Sequence, residues 1–315
     1  MSRLMKAAGV PLVATRELTA VSADGSRLHV EVYGPEGAPA LVLAHGWTCS
    51  TLFWSAQIRE LAGAGEYRVV VYDQRGHGRS PAAGPDGYST GALADDLEAV
   101  LAAALAPGER AVLAGHSMGG MTIMAAAGRP GFREHAAAVL LCSTGSSRLV
   151  AESLVLPMRA GRLRTRMTRA VLGARAPLGP VTALSKAILK YATMGPGASP
   201  ERVAECARIV HACPRAARVA WSHVLGELDL SSGVRELTVP TAVVAGTADR
   251  LTPPVLAREI AAALPDSLGL TELTGVGHMT PVEAPETVTA KLRELVNAYV
   301  VVPASVGEAE KEQAV

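Results

Sequence analysis

The chain has 315 residues, 49% hydrophobic and 19% charged, and its 30 Lys+Arg against 29 Asp+Glu leave a formal net charge of +1. That apolar content excludes a disordered chain and can supply a sizeable core, while the charge balance gives no global field for nucleic acid or an anionic membrane. Four cysteines without a C-x-x-C pair neither staple a small secreted domain nor spell a zinc site, so reduced thiols are expected.

Residues 1–14 carry Arg3 and Lys6, but the apolar run after them is broken by Gly9 and Pro11 and is too short for a signal-peptide core. No stretch approaches the roughly 20 apolar residues that cross a bilayer. A cytoplasmic protein with no stable membrane insertion is the expectation. Residues 27–34 (R-L-H-V-E-V-Y-G) alternate apolar and polar with period two, which predicts an antiparallel edge strand with one wet face. The runs at 40–44, 67–72 and 110–114 are short and almost wholly apolar, and helical patterns at 51–62 and 89–105 separate them. Strands buried on both faces and alternating with helices predict a parallel sheet in an α/β fold. The rhythm continues at 136–142, stops for roughly 90 residues, and resumes at 239–245, 268–273 and a last helix near 286–301.

The sheet-forming core is therefore assigned to 1–145 and 234–302, interrupted by an insertion at 146–233. That insertion shows no strand-like run and is broken by Pro157, Pro177, Pro180, Pro196, Pro200 and Pro214, which predicts several short helices forming a lid. Leu154, Leu156, Met158, Leu163, Met167 and Leu172 are its candidates for roofing a site beneath. Seven arginines between 146 and 180 face a single acid, Glu152, so this segment either presents a solvated face or meets an anionic substrate or lipid head. Residues 303–315 lack apolar periodicity and are expected to form a solvated tail.

The segment A-V-L-A-G-H-S-M-G-G at 111–120 sets Ser117 between Gly115 and Gly119, after a predicted buried strand and before a helix. A turn that sharp strains the serine backbone, crowds its neighbours down to glycine and lifts the hydroxyl above the sheet. A serine hydroxyl becomes a nucleophile when an imidazole takes its proton and a carboxylate orients that imidazole. Two loops after later strands carry the candidates, Asp249 in G-T-A-D-R-L-T-P-P and His278 in L-T-G-V-G-H-M-T-P. Their order, Ser117, Asp249, His278, is that of the α/β-hydrolases among serine-hydrolase folds.

With these motifs, His45-Gly46-Trp47 after the strand at 40–44 and D-Q-R-G-H-G-R-S at 73–80, the chain resembles the α/β-hydrolases of the serine-esterase, cofactor-free haloperoxidase-like and epoxide-hydrolase-like group, over about 17–302 except the insertion. The resemblance implies a mostly parallel eight-stranded sheet flanked by helices, with the lid inserted after strand 6. It also implies an oxyanion hole built from the backbone amides of Trp47 and Met118. Trp47, Met118 and Met279 are further expected to touch substrate, with Met121 and Met124 as soft walls nearby. His116 should point away from the site, His77 should be structural, and His45 should order its own loop. His211 and His223 are expected on helix faces, and Cys142 in the core.

The expected activity is cleavage of a carboxylic ester, lactone or thioester of a small, largely apolar molecule through an acyl-enzyme. Perhydrolysis or C–C hydrolysis by the same residues is the alternative, and a ligand-binding receptor that keeps the pocket is the reading from another class. No G-x-G-x-x-G follows a first strand, and neither a Walker loop nor a ligand-spaced His/Cys cluster occurs, so neither cofactor nor metal is expected. A small-molecule partner is expected, and no nucleic acid.

Overall fold

The computed structural model describes residues 13–84 and 86–301. The expectations for residues 1–12 and for the tail at 303–315 lie outside them. Eight strands, β1 (Arg16–Val21), β2 (Arg27–Tyr33), β3 (Ala40–Ala44), β4 (Arg68–Tyr72), β5 (Ala111–His116), β6 (Ala136–Cys142), β7 (Thr241–Gly246) and β8 (Ser267–Leu273), form one sheet in the order β1-β2-β4-β3-β5-β6-β7-β8. The two pairings made by β2 are antiparallel and all later ones are parallel. The edge expected at 27–34 is one strand further out. β1 pairs with β2 from Arg27 to Val32 and leaves four of its own six residues exposed, so it lacks the apolar alternation that signals a strand.

The central strands are apolar throughout because successive side chains feed two different cores. Ala40, Val42 and Ala44 of β3 pack on one face of the sheet, and Leu41 and Leu43 on the other. After α1 (Ser55–Leu61), the first face is covered by α2 (Thr90–Ala104), α3 (Met118–Ala126) and α4 (Pro130–His135). Ser89 caps α2 by accepting the amide of Ala92 at 3.0 Å.

Between β6 and β7 lie α5 (Leu149–Glu152), α6 (Arg162–Leu172), α7 (Ala183–Thr193), α8 (Pro200–Ala212), α9 (Arg215–Glu227) and α10 (Ser231–Glu236). After β7 come α11 (Pro254–Ala263), α12 (Thr280–Glu283) and α13 (Pro285–Tyr299), with α1 and α13 covering the second face. Among the described residues no helix is long and apolar enough to cross a membrane. α10 straddles the expected boundary at 233/234, and its Val234 packs into the core shared with α3. The helices after β6 are docked on the 73–80 turn by α9. Trp221 is fully buried and donates its indole N–H to the Arg75 carbonyl at 3.1 Å, and a Cβ at Gly76 would lie 2.6 Å from that of Ala217.

One expectation about these helices is overturned. Leu163 and Met167 do not roof anything: they are 64% and 43% exposed, while Arg164 and Thr168 form the buried side of α6. Leu154 is also exposed, and of the six candidates only Leu172 lines the cavity described below. Arg164 turns inward, where it finds an acceptor in the Ala151 carbonyl at 2.6 Å, while Arg162, Arg166 and Arg169 stay exposed.

Candidate active site

Ser117 is the residue between β5 and α3, and its φ of 51° with ψ of −116° is a strained conformation for a side-chain-bearing residue. Three hydrogen bonds hold it there. Its amide donates to the Cys142 carbonyl at 3.0 Å, while its own carbonyl accepts from the Thr144 hydroxyl at 2.8 Å and the Met121 amide at 3.1 Å. A Cβ at Gly115 would overlap the backbone of Gly119 and Gly120, and one at Gly119 would overlap the Ala44 carbonyl. The two glycines therefore let β3, β5 and α3 close around the turn.

The loop after β7 and the loop before α12 are tied together by backbone. The Thr247 amide donates to Leu273 at 3.0 Å and the Ala248 amide to Val276 at 2.8 Å. That tie places Asp249 beside His278, with the ring Nδ1 2.8 Å from Asp249 Oδ2. A carboxylate only accepts, so Nδ1 carries the proton and Nε2 is the basic nitrogen. The Asp249 carboxylate also accepts from the amides of Leu251 at 2.8 Å and Thr252 at 2.9 Å and from the Thr252 hydroxyl at 2.8 Å.

Ser117 and His278 open into one cavity of about 340 Å³, but among the described residues the Ser117 hydroxyl has no hydrogen-bond partner. Catalytic contacts of this kind commonly tighten only when substrate is bound. The structure thus brings Asp249 and His278 into contact and sets Ser117 on the same cavity wall.

The 45–47 segment abuts the turn, since a Cβ at Gly46 would lie 2.7 Å from Nδ1 of His116 and 3.1 Å from the Ser117 Cβ. The amides of Trp47 and Met118 make no hydrogen bond among the described residues. Trp47 lines the cavity and donates its indole N–H to the Arg218 carbonyl at 3.0 Å. Met279 and Met121 line the cavity as well, whereas the Met118 and Met124 side chains are buried in the core, so Met118 can offer the cavity only its backbone.

His116 departs from expectation. Its ring stacks on Phe53 with centroids 4.4 Å apart and donates through Nε2 to the His278 carbonyl at 2.9 Å, so it braces the residue it was expected to avoid. Burial holds its pKa well below the ordinary histidine value, and the neighbouring His278 adds to this, so it is neutral. His45 orders its loop, donating to Gly46 at 2.7 Å and accepting the Gln74 amide at 3.0 Å. His77 accepts the Thr48 amide at 3.1 Å and donates to the Arg75 carbonyl at 3.2 Å. His211 reaches the cavity wall, whereas His223 lies outside it. Burial pushes the Cys142 thiol up to about 12, which leaves it inert at neutral pH.

Two supporting residues escaped the sequence reading. Thr252 bridges Asp249 and the ring, its hydroxyl 3.1 Å from Nδ1. Glu283 accepts amides on both sides of His278, from Gly277 at 3.1 Å and Met279 at 3.1 Å, and from Gly195 at 2.7 Å beyond the end of α7.

The alpha/beta hydrolase family model matches residues 41–291. The chain belongs to that family. This alpha/beta hydrolase is 30% identical over 258 residues, 81% of its length and 90% of the relative's, to the RutD protein of Escherichia coli O157:H7, whose name assigns it provisionally to carbamate hydrolysis. It is 40% identical over 97 residues to the bifunctional esterase/perhydrolase DCH of Acinetobacter calcoaceticus. That match spans about a third of the relative's length, as does one at 45% identity to a RutD protein of Variovorax paradoxus. Among solved structures, an esterase from Thermogutta terrifontis superposes with a TM-score of 0.70 at 25% identity, over 90% of this chain and 99% of that one.

Proposed function

We propose that this alpha/beta hydrolase is a serine hydrolase that cleaves a carboxylic ester, or the related lactone or thioester, of a small, largely apolar molecule. The observation that carries the reading is Ser117, strained into an elbow that faces the same cavity as an imidazole anchored by Asp249. Ser117 Oγ bonds to the substrate carbonyl carbon as its proton passes to His278 Nε2, and the carbonyl π pair moves to oxygen. The unpaired amides of Trp47 and Met118 take that oxyanion, at the positive end of α3. Collapse breaks the bond to the leaving group, which collects the proton from His278. Water then attacks the acyl-enzyme by the same proton route, releasing the acid and restoring Ser117. Asp249 keeps Nε2 basic and stabilises the imidazolium.

The esterase/perhydrolase name of one relative favours perhydrolysis as a second activity, with hydrogen peroxide in place of water in the deacylation step. The test is labelling by a fluorophosphonate together with turnover of p-nitrophenyl acetate and butyrate. Ser117→Ala should abolish both labelling and turnover, and His278→Ala should lower turnover by at least about 10³-fold while the fold is kept. Labelling that persists in Ser117→Ala would move the nucleophile elsewhere, and labelling without measurable turnover in the unmodified protein would favour a binding role.

A further inference from the structure

The cavity that Ser117 and His278 share is apolar over most of its wall, and two of its lining residues, Arg169 and Arg218, are cationic while none is an Asp or Glu. Arg169 is half exposed, lies 3.6 Å from Glu227 and donates to the Gly226 carbonyl, so its charge is answered and wetted. Arg218 is different. It projects from α9, is only 6% exposed, and donates from Nη1 to the Ala174 carbonyl at 2.9 Å and from Nη2 to the Ala176 carbonyl at 2.6 Å. Among the described residues no carboxylate lies within ion-pair distance of it.

An arginine stays protonated, and a buried charge without a counterion is costly; two neutral carbonyls solvate the guanidinium without cancelling its charge. Two of its five N–H groups are used, which leaves donors for a planar anion. Arg218 lines the cavity that Ser117 and His278 share, and its carbonyl accepts the Trp47 indole N–H, so this part of α9 lies against the residue that follows the glycine packed on Ser117.

We infer that the substrate carries an ionised carboxylate, separated from the scissile carbonyl by an apolar spacer, and that Arg218 receives it. This rests on the hydrolase reading for the bond that is cleaved and adds the substrate class. Bound substrate supplies the counterion that the protein lacks, so an anionic substrate gains where a neutral one leaves the guanidinium unanswered.

The experiment compares p-nitrophenyl hemiglutarate with neutral p-nitrophenyl hexanoate of similar length. The unmodified chain should show the higher kcat/KM for the hemiglutarate, and Arg218→Gln should reduce that preference at least about tenfold, with Arg218→Lys retaining part of it. A purely structural role, tying the 174–176 carbonyls to α9, would lower both rates together and leave the ratio unchanged. An unchanged ratio in Arg218→Gln, or an unmodified chain that prefers the hexanoate, overturns the inference, and the latter comparison needs no variant to fold.

Binding separates this failure from failure of the hydrolase reading. Calorimetry on Ser117→Ala should show methyl hydrogen glutarate binding more tightly than dimethyl glutarate, and the difference should vanish when Arg218→Gln is added. That difference without turnover of either ester in the unmodified chain would retire the hydrolase reading and leave Arg218 as a carboxylate site of a binding protein. Equal affinities would overturn the inference.

Discussion

Asp249 is the most heavily bonded group of the site, accepting two amides, a hydroxyl and the His278 ring. Asp249→Asn would turn one acceptor into a donor and favour the wrong imidazole tautomer. Its kcat is expected to fall on the order of 10⁴-fold while KM changes little, as steady-state kinetics with p-nitrophenyl butyrate would show. Thr252→Val removes one donor and leaves the carboxylate in place, so its loss should be far smaller; near-normal kcat in Asp249→Asn would place the acid elsewhere. A second expectation concerns His77, whose pKa burial pulls down to about 3. Unfolding releases it to about 6.5, so the unfolded chain takes up a proton that the native one refuses. Its contribution to stability is complete above about pH 6.5 and is lost as pH falls from there toward 3. Urea midpoints measured from pH 7 to pH 4.5 should therefore fall less steeply in His77→Gln than in the unmodified chain. Equal slopes would mean that His77 is charged in the native state.

Helix α6 shows how an element can match its sequence pattern and still face the other way. Positions 163 and 167 lie on one strip of the helix and 164 and 168 on the next, and packing chose the second, where Arg164 bonds to Ala151. Leu163→Glu and Met167→Glu should each shift stability by no more than about 0.5 kcal/mol, while Arg164→Ala should cost about 1–2 kcal/mol through the lost hydrogen bond and stem packing. Urea denaturation would measure both, and the reverse order would mean that the leucine side is the buried one. The arginines of this region likewise divide by structure. Arg148 pairs with Glu152 and Glu259, Arg169 with Glu227, and Arg164 reaches a carbonyl, so the cluster is not a uniform solvated face.

At the scale of the molecule, the helices between β6 and β7 supply much of the wall of a space of about 340 Å³ that Ser117 also lines. Each methylene that enters such a space contributes up to about 0.8 kcal/mol, roughly fourfold in kcat/KM, and the gain ends where the wall does. A series of neutral p-nitrophenyl esters should therefore rise in kcat/KM over a few carbons and then fall. A flat series would mean an open cleft in which these helices only stabilise the sheet.

Much of the fold is legible without a structure because its signals are local. Runs that feed two cores must be apolar at every position, helices show their period, and Gly115 and Gly119 flank the serine because neighbouring backbone leaves no room for a side chain. Ser117, Asp249 and His278 could be named from the ends of three such runs. The edge strand β1 could not, since a strand with most of its residues in water carries no buried alternation. Nor could the contact of Thr252 with the His278 ring, that of Glu283 with Gly195 or the brace of His116 on His278, which join residues 26, 88 and 162 positions apart. The charge of the cavity is the clearest case: seven arginines between 146 and 180 are visible as a composition, yet the buried cation that lines the cavity is Arg218, outside that cluster. Only tertiary packing decides which guanidinium is buried at the cavity wall without meeting a carboxylate.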